Sequence, residues 1–173
     1  MQFTGKVWKY GDNVSTDVIF PGKYTYTIHE PEELAKHALE DLDPQFVLLA
    51  QRGDIIVAGK NWGNGSSREQ AVTSLIHKGI AAIIAKSFAR IYYRNSINQG
   101  LPLVTCPDAV DAIQAGEVLT INLSENWIGF SNQRHYFQPF SEAALSILDA
   151  GGLVPYIQRK LGLPVTKVSS SSE

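Results

Sequence analysis

The sequence has only one cysteine, Cys106, among its 173 residues. An internal disulfide is therefore excluded, and so is an iron–sulfur cluster held by this chain alone, because such clusters need several thiolates. The four histidines, His29, His37, His77 and His135, show no paired spacing typical of metal ligands. We therefore predict no metal site in this chain.

An excess of charge of one sign is also missing. The chain has 15 Lys and Arg against 17 Asp and Glu, which gives a net charge of -2. Phosphate backbones require a broad basic face, so nucleic acid is not an expected partner. No apolar run approaches the ~20 residues that span a bilayer. The first ten residues, MQFTGKVWKY, lack the apolar core of a signal peptide. We expect no membrane partner and a cytoplasmic location.

Length and periodicity predict one α/β domain over residues 1–163, followed by a serine-rich, disordered tail over residues 164–173. Strands are predicted at residues 2–9, 54–59, 80–85, 101–106 and 117–123, with a hairpin around Asn132 and Gln133. Helices are predicted at residues 30–42, 66–79, 87–100, 108–116, 141–152 and 153–161. The segment 54–85 therefore has the pattern of a βαβ unit.

A long loop, YGDNVSTDVIFPGKY, spans residues 10–24. Loops of this length without regular structure are usually functional or disordered. Apolar residues such as Ile19 and Phe20 favour packing, so we predict an ordered loop. Asp17 lies within this loop. Its position has two interpretations, an Asx turn that caps the loop or a residue of a functional site.

The stretch GKNWGNGSSREQA, residues 59–71, joins the first buried strand to the next helix. It lacks the lysine of a phosphate-binding Walker loop, and Arg68 replaces the third glycine of a dinucleotide fingerprint. Ser66 and Glu69 match a capping box at the start of a helix. A cap does not explain the glycines, nor does it explain Arg68, because the helix dipole disfavours a cation in the first turn. An anion site is therefore the favoured interpretation.

Ser66 is also a candidate base in this setting, because free amides and a guanidinium stabilise a deprotonated hydroxyl. A serine hydrolase is not supported, since no histidine partner is evident and the GxSxG order is absent.

Three stretches, residues 10–24, 59–71 and 85–104 (AKSFARIYYRNSINQGLPLV), together resemble a known family. Over residues 3–161 the order and spacing are similar to the small subunits of 3-isopropylmalate dehydratases, which are swivelling domains of the aconitase superfamily. The resemblance implies an α/β swivelling β/β/α fold, in which helices flank a mixed sheet.

The resemblance also implies roles for individual residues. Ser66 looks like the general base that removes a proton next to a substrate carboxylate. Ser67 and Arg68 look like the groups that bind this carboxylate, and Asp17 is similar to an acidic active-site residue. The family places a four-iron four-sulfur cluster in a separate large subunit. The chain is therefore expected to be active only with that partner, in a heterodimer or a higher hetero-oligomer.

Substrate identity remains open at this point. Lys23 and Tyr24 fall in the loop that, by resemblance, contacts the variable group of the substrate. Tyr24 and Tyr26 could line an apolar pocket for an isopropyl group or hydrogen-bond an extra carboxylate. The resemblance favours isopropylmalate in leucine biosynthesis, with homoaconitate of lysine biosynthesis and 2,3-dimethylmalate as alternatives. A hypothesis of another class is an anion-binding assembly module without catalysis.

Overall fold

The computed structural model describes residues 1–165, and a seven-stranded mixed sheet forms their centre. Its strands are β1 (Gln2–Lys9), β2 (Ile55–Ala58), β3 (Ala82–Ala85), β4 (Leu103–Thr105), β5 (Val118–Asn122), β6 (Trp127–Phe130) and β7 (Gln133–Tyr136). Its helices are α1 (Thr16–Ile19), α2 (Pro31–Lys36), α3 (Pro44–Leu49), α4 (Gln70–Lys78), α5 (Arg90–Gln99), α6 (Pro107–Ala112), α7 (Glu142–Ala150) and α8 (Leu153–Lys160).

Strand β1 joins the two halves of the sheet, whose order is β4-β3-β2-β1-β5-β6-β7. Residues 7–9 of β1 pair in parallel with β2, and residues 2–6 pair antiparallel with β5. Every residue of β2 and β3 is buried, because helices cover both faces of the parallel half. The predicted mixed sheet flanked by helices is confirmed.

The sheet separates two apolar clusters, and alternate residues of one strand face different clusters. Ile56 and Ile83 belong to one cluster, which includes Phe20 and Trp62 from the connecting loops. Ile55 and Ile84 belong to the other, on the opposite face. The first cluster therefore anchors the loops that follow β1 and β2.

The helix predicted over residues 30–42 is wrong in its length, because α2 ends at Lys36. Leu39 has a positive φ of 58°, and its amide donates to the carbonyl of Ile19 at 2.8 Å. This long-range bond, together with complete burial of the Leu39 side chain, replaces the helical bonds that the sequence pattern favours.

The loops after β1, β2 and β3 meet at the carboxyl edge of the parallel strands, where ligands of open α/β sheets bind. The amide of Thr16 donates to the carbonyl of Asn64 at 2.8 Å. The amide of Trp62 donates to the carbonyl of Ser87 at 3.1 Å. These bonds hold the three loops together as one surface, so the predicted order in the loop of residues 10–24 has a structural basis.

The proposed boundary at residue 163 stays a prediction, and all but two residues of the predicted tail lie outside the described part of the chain. Across residues 1–165, no helix is both long enough and apolar enough to cross a bilayer.

Candidate active site

Gly63 shapes the loop between β2 and α4. Its φ is 77°, in the left-handed region that favours glycine. A Cβ at this position would lie 2.1 Å from Cγ of Tyr92. Tyr92 is buried, its hydroxyl donates to the carbonyl of Ala71 at 3.1 Å, and burial raises its pKa above the ordinary value. The loop backbone is thus seated directly on an aromatic ring that links α5 to α4.

The predicted capping box of Ser66 and Glu69 is wrong. Helix α4 begins at Gln70, and Glu69 at its cap position already has helical dihedrals and makes no side-chain cap bond. The Glu69 carboxylate instead accepts a hydrogen bond of 2.6 Å from Nε2 of Gln99 on α5. Ser66 therefore stands four residues before the helix, beyond the first turn where the dipole acts.

The displaced start of α4 leaves the Ser66 and Ser67 side chains exposed. Both line a cleft of about 470 Å³, which we call the serine cleft. Its walls are the glycine loop at residues 63–68, the segment 89–95 at the start of α5, and Thr16 of α1. A concave site of this size suits a small molecule. Within the described residues, neither serine hydroxyl is committed to a structural hydrogen bond, so both are free for a ligand.

Arg68 also lines the serine cleft, and it is joined to Asp17. Nη1 of Arg68 lies 2.5 Å from Oδ1 of Asp17. The contact is an ion pair without the alignment of a hydrogen bond. Gly22 gives the guanidinium room, because a Cβ there would lie 2.6 Å from Nη1. The structure therefore brings together Ser66, Ser67, Arg68 and Asp17, as the sequence analysis expects.

Lys23 and Tyr24 lie outside the residues that line the serine cleft. Nζ of Lys23 is 3.2 Å from Oε1 of Glu40, and this bond is the main cause of the raised pKa of Lys23. The Tyr24 ring packs on the His37 ring with centroids 4.0 Å apart. In this structure both side chains therefore contact the segment after α2 and do not line the serine cleft.

Arg90 and Arg94 line the serine cleft from α5. The family resemblance implies that residues 87–90 lie near the rim of the site, whereas nothing in the sequence singled out Arg94. Both side chains are exposed. The available signal was their spacing in RIYYR, because residues four apart share one face of a helix. The spacing alone could not show that this face meets the glycine loop.

The described residues offer no donor set for a metal or cluster. No group of three or more His, Cys, Asp or Glu that could hold a metal ion occurs among them. Cys106 is buried, and its burial raises the pKa of the thiol. A buried neutral thiol is not a site for iron. These residues therefore do not fit an iron–sulfur cluster.

Comparison with known proteins places this geometry in a family. Residues 17–108 match the model of the aconitase C-terminal domain. The 3-isopropylmalate dehydratase small subunit of Caldicellulosiruptor bescii is 50% identical over 93% of this chain and 98% of its own length. The chain belongs to the 3-isopropylmalate dehydratase small-subunit family. The small subunit from Aquifex aeolicus is 48% identical, over 93% of this chain and 97% of its own length.

A solved structure agrees with this assignment to the small-subunit family. The 3-isopropylmalate dehydratase structure from Methanocaldococcus jannaschii aligns with a TM-score of 0.88 at 42% identity. The alignment covers 93% of this chain and 96% of that one. The resemblance noted from the sequence, the hydro-lyase class and the swivelling fold are thereby confirmed.

Proposed function

We propose that the chain is the small subunit of a hydro-lyase that interconverts 2-isopropylmalate and 3-isopropylmalate through isopropylmaleate, in cytoplasmic leucine biosynthesis. One observation carries the proposal. Two exposed serines and an arginine share a small-molecule cleft, in a chain about half identical to dehydratase small subunits over nearly its whole length.

The proposed base is Ser66. It removes the proton from the carbon next to a substrate carboxylate, and it returns a proton on rehydration. Ser67 and Arg68 bind that carboxylate, since a guanidinium matches two carboxylate oxygens better than an ammonium does. Asp17 completes the catalytic group by holding the Arg68 guanidinium at the cleft. Exposure of the Ser66 hydroxyl and the ion pair of Arg68 with Asp17 support these roles.

Lys23 and Tyr24 are proposed to contact the variable group of the substrate in the assembled enzyme. This contact requires Lys23 to separate from Glu40 and the Tyr24 ring to separate from the His37 ring. The Lys23 side chain is 58% exposed and Glu40 is partly exposed, so solvent weakens the attraction between them. The packing of Tyr24 on His37 must also be given up, and contacts with the substrate are proposed to replace both interactions.

The proposed partner is a large subunit that carries a four-iron four-sulfur cluster. A Lewis-acidic metal assists departure of a hydroxyl group, which is a poor leaving group. Because the described residues of this chain do not fit such a cluster, the activity is expected to require both subunits. The pair is expected to form a heterodimer or a higher hetero-oligomer.

The test is reconstitution of the purified chain with a cluster-loaded large subunit. Formation of isopropylmaleate from 3-isopropylmalate is followed by ultraviolet absorbance, with each subunit alone as the control. Homoaconitate and 2,3-dimethylmalate are assayed in parallel. A higher kcat/KM with either alternative substrate would reassign the substrate, and no turnover of any of the three by an assembled, cluster-loaded complex would refute the enzymatic proposal.

A further inference from the structure

A positively charged ridge borders the serine cleft. It consists of Arg90, Ile91 and Arg94 in the first turns of α5, and we call it the arginine ridge. All three side chains are exposed, and that of Ile91 is 57% exposed. Among residues 1–165, neither arginine forms an ion pair with a carboxylate. The ridge therefore presents two uncompensated positive charges, although the net charge of the chain is -2.

The arginine ridge separates the serine cleft from a second concavity. Arg90 and Arg94 line the serine cleft, and both also line a neighbouring space of about 460 Å³, which we call the aromatic pocket. Phe88 and Tyr93 line the aromatic pocket, with ring centroids 5.9 Å apart. Arginine and aromatic side chains are enriched in protein interfaces, where they anchor the contact beside small pockets. The composition of the ridge and its surroundings thus favours a protein as the partner.

The proposed function indicates which protein reaches the ridge. Ser66 and the cluster of the large subunit would act on one substrate molecule, so the large subunit must approach Ser66 to within the length of that molecule. Arg90 and Arg94 line the same cleft as Ser66. The surface that closes the cleft therefore also meets the ridge. A second copy of this chain at the same place would obstruct the cleft, which favours the large subunit as the occupant.

Burial of the ridge in an interface requires acidic groups on the partner. Transfer of an unpaired guanidinium out of water is unfavourable unless an opposite charge and hydrogen bonds replace the water. Among the described residues, those that line the serine cleft and the aromatic pocket include no Asp or Glu. A carboxylate matches the planar guanidinium in two parallel hydrogen bonds. The missing negative charges must therefore come from the partner.

We infer that the arginine ridge binds an acidic patch with an apolar centre on the large subunit. In this contact, carboxylates of the partner pair with Arg90 and Arg94, and an apolar side chain of the partner covers Ile91. The inference rests on the proposed function for the identity of the partner. It assigns to the ridge a role in subunit assembly, separate from the proposed binding of substrate by Ser67 and Arg68.

The test measures association of the purified chain with the cluster-loaded large subunit. Biolayer interferometry gives the Kd without substrate, at low and at high ionic strength. The charge-reversed ridge variant Arg90→Glu/Arg94→Glu is compared with the wild type. The control variant Arg134→Glu/Arg159→Glu makes the same change in net charge at two exposed arginines that line neither the serine cleft nor the aromatic pocket. Urea denaturation checks that each variant is folded.

We expect the ridge variant to bind the large subunit about 10- to 100-fold more weakly at low ionic strength, because like charges then face each other. High salt should weaken the wild-type complex and reduce this difference, since ions screen exposed charges. The milder variant Arg90→Gln/Arg94→Gln should show an intermediate loss. The control variant should bind within about threefold of the wild type. Ile91→Ala should weaken binding by about 3- to 10-fold at both ionic strengths, because it removes apolar contact area.

Wild-type affinity in the ridge variant would overturn the inference, and so would an equal loss of affinity in the control variant. Altered sedimentation of the ridge variant alone, with unchanged affinity for the large subunit, would also overturn it, because the ridge would then join two copies of this chain. Failure of the proposed function would show differently, as a wild-type complex that assembles through the ridge but turns over none of the three candidate substrates.

Discussion

The guanidinium of Arg68, in the loop before α4, lies 2.5 Å from the carboxylate of Asp17 on α1. The pair ties the segment after β1 to the segment after β2 at the edge of the serine cleft. Its members are 26% and 58% exposed, respectively, so solvent weakens the attraction between them. The arrangement orients Arg68 more than it stabilises the fold.

Replacement of Asp17 by Asn should therefore separate function from stability. We expect kcat/KM of the complex to fall by about 10- to 100-fold, because Arg68 loses the charge that orients it. The free energy of unfolding should change by less than about 1 kcal/mol, as is usual for exposed pairs. Urea denaturation and steady-state kinetics provide the two measurements. Glu33→Gln, which breaks the exposed pair with Lys36 on α2, is the matched control; equal kinetic effects of the two variants would contradict the assignment.

Ser66→Ala should remove activity without a cost in stability. Loss of a general base lowers kcat by about 10²- to 10⁴-fold, with little change in KM. Because Ser66 caps no helix, its loss should change the free energy of unfolding by less than about 0.5 kcal/mol.

Ser141→Ala is the opposite case and the control. The Ser141 hydroxyl caps α7 by accepting from the amide of Ala144 at 3.2 Å. Its loss should cost about 1 kcal/mol and leave kinetics unchanged. If Ser66→Ala retains wild-type kcat, Ser66 is not the base.

The parallel half of the sheet could be predicted because its signals are local. The apolar runs at residues 54–59 and 80–85 and the amphipathic segment between them fix a βαβ unit without reference to the rest of the chain. The structure places β2, α4 and β3 there. The glycine loop marked Ser66 and Arg68 as candidate site residues, and the family resemblance implied a separate role for each.

The features that the sequence did not predict depend on contacts between distant segments. Leu39 leaves the helical pattern to bond with Ile19, and α3, which begins after the cap residue Asp43, was not predicted. The Glu69 carboxylate accepts a hydrogen bond from Gln99, thirty residues away, instead of forming the predicted capping box. Arg94 joins the site only because α5 packs beside the glycine loop. A local sequence pattern does not predict contacts between residues that are far apart in the chain.

Gly63→Ala should destabilise the protein through a collision. The added methyl group would meet the Tyr92 ring at 2.1 Å, in a backbone conformation that already disfavours alanine. We expect a loss of about 3–5 kcal/mol, from backbone strain and overpacking together. Gly116→Ala is the control, since Gly116 has a similar φ of 83° with no atom within 4 Å of the added Cβ.

The control variant should lose only about 1 kcal/mol, the cost of the backbone conformation alone. Urea denaturation gives both values. Equal losses in the two variants would mean that the Tyr92 ring moves aside without cost.

His77 should make stability depend on pH. Burial lowers its pKa in the folded protein below the ordinary value of 6.5. The unfolded chain then binds more protons than the folded one as pH falls through this range. The free energy of unfolding is therefore unaffected by His77 above the pKa that this residue has in the unfolded chain. It declines as pH falls from there towards the pKa of His77 in the folded protein. Urea denaturation between about pH 8 and pH 5 should show a shallower decline for His77→Gln than for the wild type. The same slope in the wild type and in His77→Gln would show that His77 is not responsible.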